Sequence, residues 1–401
     1  MANTYNTSTL VGQQVVQSLD ARPTLQHTVN TSYAKDYQNG SYVPGTTINM
    51  EINDQPSIID GLVANVDDNS PRTVGVTIAG FNTSKRIDSL SRGYKTKKDA
   101  IRQWTDDMVK AMCRKVENTG FAYMAKQTGQ NVGVPGTDTG SIRTWAEGRA
   151  KINDQLAEGT CYAAVNPMGM VALTEALKGA PNPTLSNSFV SARMKNMSDM
   201  NFYQTPSVYK YTAGTTTDGA GAVTTTSVNA ASTLVLKLLG TGTITAGTKL
   251  TVASVYPVDP QTKDSLPYLK EFTVTADVTI AGNAATVAIS PTIYDSTTTQ
   301  QNVSALPQAD AVVTLNTGGT LTASQTATQA MIYDKNAFTL VSLPLPLAED
   351  GTEKNVSKAG LTVRIGQSSK DHINDTEIIK VSALWGWGKL REDHACAVFN
   401  A

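Results

Sequence analysis

Between Ala213 and Thr328 the chain changes character, and that change limits its possible folds more than any other feature. These 116 residues hold 27 Thr and only 11 charged side chains, under one in ten, where globular chains carry roughly one in four. Short apolar runs recur through them: STLVLKLL, TKLTVASV, KEFTVTADVTI, ATVAI and AVVTLN. Gly, Pro, Asn and Asp separate the runs. β-Branched residues suit a pleated surface, and regularly spaced turn residues fold such runs back on one another. The pattern predicts a small barrel or sandwich. The chain on either side reads as mixed helix and strand. The segment is therefore expected to be an inserted all-β module, of the kind that exposed loops tolerate.

The flanks supply the rest of an α+β fold. Thr46–Ile52 (TTINMEI) and Thr73–Ile78 (TVGVTI) alternate polar with apolar residues, as half-buried strands do. Between them lies a polar tip, Asp67–Arg72 (DDNSPR), so the pair predicts a long hairpin-like excursion. Asp67, Asp68 and Asn69 lack the spaced ligands and closing Glu of a calcium loop. Ile101, Trp104, Met108, Met112 and Val116 recur every three or four residues and predict one long helix over Lys95–Gln127. Thr96 is its expected cap, with Asp99 at the third helical position. About thirty residues at a 1.5 Å rise give roughly 45 Å, and Gly120 is expected to weaken or bend the last third. A second helix is expected from near Thr144 to about Ala157. Gly159–Leu177 reads as an apolar strand, a turn at Asn166–Pro167 and a helix. A Pro- and Asn-rich loop, Ala180–Ser188, follows. The first fifty residues read as an extended polar arm with one short helix at Val11, Val15, Val16 and Leu19, ended by Pro23.

No catalytic constellation emerges. Lys and Arg number 33 against 34 Asp and Glu, a net charge of −1, which argues against a strong overall positive field for nucleic acid. No stretch approaches the roughly 20 apolar residues of a membrane span, and Met1–Leu19 lacks a secretory pattern, so the sequons at Asn6, Asn30 and Asn82 read as chance. Cys113, Cys161 and Cys396 are distant and odd in number, which predicts free thiols in a reducing compartment. His394 and Cys396 would share one face of a strand, but two ligands without a third predict packing rather than a metal. GTGTITAGTKL, Gly240–Leu250, approximates a phosphate loop, yet Thr248–Lys249 reverses the required order and no helix follows. Trp385 and Trp387 alternate on a strand and are expected to pack. Asp106–Asp107 reads as a solvated helix face. Lys85, Arg86, Arg92, Lys95, Lys97 and Lys98 form a loose basic run, either solvated or set against acidic residues of another subunit. Arms and long hairpins cost conformational entropy unless partners order them, and assemblies of identical subunits supply such partners. The expectation is an assembling structural protein, with no catalysis, cofactor or metal.

The order of these elements resembles the major capsid (coat) proteins of tailed double-stranded-DNA bacteriophages, with the Hong Kong 97-like fold. It is most similar to the podophage type that carries an inserted β domain. CYAAVNPMGMVALTEAL resembles the axial-domain strand and helix, and MSDMNFYQTPSVYKYTAG the strand before the insertion. NAFTLVSLPLP resembles the segment that resumes after it, and ALWGWGKLREDHACAVFN the closing strands. The resemblance implies an N-terminal arm over 1–50 and an extended loop with return strand over 51–93. It implies a spine helix and peripheral domain over 94–158 and an axial domain over 159–212. An inserted β-barrel-like domain over 213–328 then precedes a return to the axial and peripheral domains over 329–401.

The resemblance further implies a subunit that self-assembles as hexamers and pentamers into an icosahedral head shell around packaged DNA. Scaffolding protein, portal and a decoration protein are the implied partners. The precursor shell expands, without sequence-specific DNA binding, and assembly takes place in the host bacterial cytoplasm. Lys–Asn cross-linking, used by some relatives, has no basis here, and N-terminal processing is not expected. Inter-subunit contacts are expected at Asp67, Asp68, Arg72, Lys85, Arg86, Arg92 and Lys95. Two other readings remain: a tail or receptor-binding protein, which the long helix and central α/β unit disfavour, and an enzyme with an unrecognised site.

Overall fold

The computed structural model describes residues 25–33, 44–52, 71–88, 97–136, 141–176, 196–216, 219–316, 324–348, 353–358, 360–368 and 376–400. The expected helix at Val11–Leu19, the tip residues Asp67 to Asn69, the cap Thr96 and the loop Ala180–Ser188 lie outside the described residues. So do Arg92 and Lys95. The chain divides into two compact units. Unit one comprises residues 1–50, 73–120 and 338–388, and unit two comprises 51–72, 121–337 and 389–401.

Unit one is built on a five-stranded sheet: Ala79–Asp88, Phe338–Leu343, Glu353–Lys358, Leu361–Gln367 and Thr376–Lys389. Its longest strand pairs antiparallel with Ala79–Asp88 from Trp385↔Ala79 to Thr376↔Asp88, and also with Leu361–Gln367. Thr47–Ile52 pairs with Arg72–Thr77. Alternation buries Ile48, Met50, Val74 and Val76 and exposes their neighbours, as the sequence predicts. The helix Lys97–Gln127 is 31 residues long, and Met108, Met112 and Val116 are buried on one stripe. The boundary between the units falls within this helix, after Gly120, and within the longest strand, after Gly388.

Trp385 and Trp387 do face one side, and they face inward. Both indole N–H groups donate to Thr119 Oγ1 at 3.3 Å, while the Thr119 hydroxyl bonds back to its own helix at the Lys115 carbonyl, 2.9 Å. Phe81 stacks on Trp385 at 3.9 Å. Gly120 is there for close approach rather than for bending. A Cβ at this position would overlap the Leu25 side chain and the Trp387 ring. Gly120→Ala is therefore expected to destabilise unit one by roughly 1–3 kcal/mol through overpacking, although Ala is the better helix former. Urea unfolding of the unassembled chain checks this, and a stabilised variant would refute it.

Part of the expected arm is buried. Leu25–Thr28 forms a short helix, Leu25 and Val29 enter the unit-one core, and Asn30 bridges Thr339 with its carbonyl accepting from Leu340 N at 3.0 Å. A handful of apolar residues in a polar stretch suffices to dock it when a strand edge offers free backbone groups.

Unit two holds a seven-stranded mixed sheet and a closed barrel. The sheet order is Gln130–Val132, Ala395–Asn400, Thr326–Asp334, Cys161–Val165, Met200–Gln204 and Asn196–Met197, with Tyr209–Thr212 also pairing Thr326–Asp334. Two helices accompany it, Ile142–Asn153 and Pro167–Glu175. The first starts and ends earlier than the expected Thr144 to Ala157. What reads as a turn at Asn166–Pro167 is a helix start: Asn166 Oδ1 accepts Gly169 N at 3.1 Å, with Pro167 at the first helical position.

The barrel closes in the order Ala231–Lys237, Ala284–Ile293, Glu271–Val274, Lys249–Val252, Val312–Asn316 and Ala220–Val223. Its core alternates down the strands through Leu234, Leu236, Leu250, Val252, Phe272, Val274, Val287, Ile289, Val313 and Leu315. KEFTVTADVTI, expected as one run, is two strands. Between them Asp277 Oδ1 accepts Ala246 N at 2.7 Å, and Val278–Ile280 pairs instead with Gly242–Ile244. The chain leaves the sheet after Thr212 and re-enters at Thr326, which are direct cross-strand partners. The module's two roots are therefore adjacent, which makes such a segment easy to splice into a sheet. No helix among the described residues is long and apolar enough to cross a membrane.

Candidate functional site

The last carbonyls of a helix have no partner within it and form its negative end. In unit two the barrel meets them. Lys249 Nζ donates to the Thr128 carbonyl at 2.7 Å, to Thr273 Oγ1 at 2.6 Å and, at the limit, to the Ala125 carbonyl at 3.5 Å. The Thr273 hydroxyl itself donates to the Thr128 carbonyl. Ser290 Oγ donates to the Gln127 carbonyl at 2.9 Å. Lys249, Thr273 and Ser290 are successive cross-strand partners on three neighbouring strands. Strand alternation explains the row: their neighbours Leu250, Phe272 and Ile289 fill the barrel core, so these three point outward, onto the helix end.

Charged groups extend the row into a seam. Glu271 accepts Asn131 N at 2.6 Å and Lys151 Nζ at 3.0 Å. Lys270 pairs with Asp393 at 2.8 Å, and Lys389 reaches Ser290 Oγ at 3.1 Å and Glu392 at 3.4 Å. Arg72 grips both Glu392 oxygens, at 3.0 and 2.8 Å, and also donates to the Leu390 carbonyl at 2.6 Å. Lys249 is 2% exposed and Glu392 likewise. Burial pulls the Lys249 ammonium down to about 7, while Glu271 acts in the opposite sense. Burial pushes the Glu392 carboxyl up, but Lys389 and Arg72 outweigh it and hold the group at about 2.

This chemistry fastens rather than reacts. The thiols of Cys161 and Cys396 are pushed up by burial to about 11 and about 12, so neither is a thiolate at neutral pH. His394 closes the short 3-10 turn Glu392–His394, and Cys396 lies on the strand beyond; both are buried. Among the described residues no group of three or more His, Cys, Asp or Glu is placed to hold a metal. Of the residues expected at subunit contacts, Arg72 is engaged within its own chain. Lys85 and Arg86 are exposed, and Lys85 Nζ lies 5.4 Å from the Trp104 ring centroid. The seam residues Lys249, Thr273, Ser290 and Glu392 are not singled out by sequence. One signal existed: Lys249 is one of only four Lys in the charge-poor segment. Its outward strand position reads as solvated until the helix end is placed against it.

Residues 200–384 match the family model described as "P22 coat protein - gene protein 5". The match covers just under half of the chain. The search of curated proteins found no sequence match. Among solved structures the chain is similar to one titled Mycobacterium phage Che8, at 9% identity and TM-score 0.48, covering 94% of this chain and 90% of that one. The capsid structure of the cyanophage P-SCSP1u matches at 10% identity and TM-score 0.42, covering 90% and 85%. A virus-like particle from Pyrococcus furiosus matches at 6% identity and TM-score 0.41, covering 97% of each chain. The family match spans the barrel and most of the unit-one sheet strands, and takes in Lys249, Lys270, Glu271, Thr273 and Ser290 of the seam.

Proposed function

We propose that this chain is a tailed-phage major capsid protein, that it assembles as hexamers and pentamers into an icosahedral shell, on a scaffolding protein, and that the shell expands as DNA is packaged. The coat-protein match over residues 200–384 carries this reading. The subunit is non-enzymatic, assembles in the host bacterial cytoplasm and engages scaffolding, portal and decoration partners. It has the Hong Kong 97-like architecture, with the arm, extended loop, spine helix, axial and peripheral domains and insertion at the boundaries given above. Contacts between subunits form through Asp67, Asp68, Arg72, Lys85, Arg86, Arg92 and Lys95. Within its own chain Arg72 also anchors the root of the extended loop to Glu392. Negative-stain electron microscopy of the purified chain, with and without scaffolding protein, is expected to show closed shells. Only monomers or dimers in both conditions would overturn the reading.

A further inference from the structure

Within unit one, two lysines cross the junction between the helix Lys97–Gln127 and the strand Ala79–Asp88, and each lies over an aromatic ring of the other element. Lys85 Nζ of the strand is 5.4 Å from the centroid of the Trp104 ring on the helix. Lys115 Nζ of the helix is 5.8 Å from the centroid of the Phe81 ring on the strand. A ring face holds one side of an ammonium and leaves its other N–H groups turned to water. Both lysines are exposed, as is Arg114 beside Lys115. Among the described residues no carboxylate pairs with any of the three. The acids of this stretch of helix are engaged elsewhere: Asp106 and Asp107 both pair with Lys110, and Glu117 is buried. The local balance is therefore positive. A half-open recess of about 550 Å³ runs along the same stretch, lined by Asp107, Lys110, Ala111, Arg114, Lys115 and Asn118.

The cations are spread out. Trp104, under Lys85, and Lys115 are separated by roughly 16 Å of helix at a 1.5 Å rise per residue. One small anion cannot meet a row of that length, so the matching ligand carries negative charges in series. Two chemistries do: a run of acidic side chains, or a phosphate backbone. A second copy of this chain cannot supply the first, because its sequence nowhere holds more than two consecutive Asp or Glu. A duplex carries one charge per about 1.7 Å of its axis. We infer that this face binds the phosphate backbone of a nucleic acid, through Lys85, Arg114 and Lys115, without reading its sequence. Contacts to phosphate position a duplex and carry no sequence information themselves. The net charge of −1 on the whole chain supplies no long-range attraction, so the binding belongs to low salt. The inference stands on this face and not on the coat-protein reading. Lys85 is also among the subunit contacts proposed above, so the test is made on the unassembled chain, where only the nucleic acid can use it.

Fluorescence anisotropy of a short labelled DNA duplex, titrated with the unassembled full chain, tests the inference. Saturable binding is expected at about 50 mM salt, equal for two unrelated sequences. It is expected to weaken on the order of fortyfold by about 200 mM, as three neutralised phosphates require. Lys85→Gln, Arg114→Gln and Lys115→Gln are each expected to lower the slope of log affinity against log salt by about one. Arg114 is exposed and packs on no ring, so Arg114→Gln keeps the test open should a lysine variant fail to fold. Lys237→Gln, at an exposed ion pair with Asp310 on the barrel, is expected to leave the slope unchanged. Polyglutamate at matched charge is the competitor, and it is expected to displace the duplex poorly. Tighter binding of polyglutamate would assign the face to an acidic protein segment and overturn the inference. So would the absence of saturable binding at low salt, or wild-type slopes in all three variants.

Discussion

Lys249→Ala is expected to lower the stability of the unassembled chain by roughly 3–5 kcal/mol, a cavity-scale loss compounded by the loss of hydrogen bonds at the helix end. The side chain is fully enclosed, so its removal leaves a void, and two carbonyls and a hydroxyl lose a shared donor. Lys249→Met separates the two contributions. It keeps the volume, and the Thr273 hydroxyl still serves the Thr128 carbonyl, so it is expected to recover most of the loss, since apolar isosteres of buried charges are often near neutral. The pH dependence distinguishes the amine from its packing. The folded-state pKa of Lys249, about 7, lies below its ordinary 10.5. Between those values the unfolded chain binds the proton and the folded chain does not, so stability from this group rises with pH from about 7 to 10.5 and is lowest below 7. The wild type is therefore expected to gain on Lys249→Met as pH is raised through that window. Urea midpoints at pH 6 and pH 9 measure this. Equal losses for Ala and Met would place the loss in the hydrogen bonds of the amine rather than in packing, and a loss from Ala under about 1 kcal/mol would show that Lys249 does not hold the helix end.

Glu392→Gln acts at the other end of the seam, with a pH dependence of the same sign in an acidic window. Arg72 and Lys389 would keep their positive charges in a buried setting with no carboxylate between them. The depressed carboxyl, about 2 against an ordinary 4.5, corresponds to about 3 kcal/mol of native-state preference for the charged form. That contribution is fully present above the unfolded pKa near 4.5 and is lost as pH falls toward 2. The variant is expected to be about 3 kcal/mol less stable than wild type at pH 7 and to converge on it by pH 2–3. A gap that persists unchanged into acid would assign the effect to shape rather than charge.

Several features were legible in the sequence because they are local. Period-2 alternation placed Ile48, Met50, Val74 and Val76 inward, and three- to four-residue spacing placed Met108, Met112 and Val116 on one helix stripe. The charge-poor, Thr-rich stretch marked a β module whose strands fall at 220–316, between roots at Thr212 and Thr326. The likeness to phage coat proteins was legible too, and the family model matches over residues 200–384. Gly120 and Asn166 were read less well. Each looked like a property of its own neighbourhood, a bend and a turn. Each is set instead by a partner: Leu25 and Trp387 for the first and a helix N-terminus for the second. The pairing of Arg72 with Glu392, 320 residues away, left no local sign.

The seam marks where local reading ends. The sequence by itself determined that Lys249 and Thr273 lie on strands, since alternation with Leu250 and Phe272 requires it, while Ser290 falls one residue past the expected run ATVAI and joins its strand only in the structure. It could not determine what their outward faces meet. An outward strand position is solvated unless another element covers it, and only the tertiary arrangement brings the last turn of a helix, more than a hundred residues upstream, onto that row. Desolvation then turns three ordinary polar residues into the cap of that helix, because unpaired carbonyls at its negative end and a buried lysine each satisfy what burial would otherwise make costly.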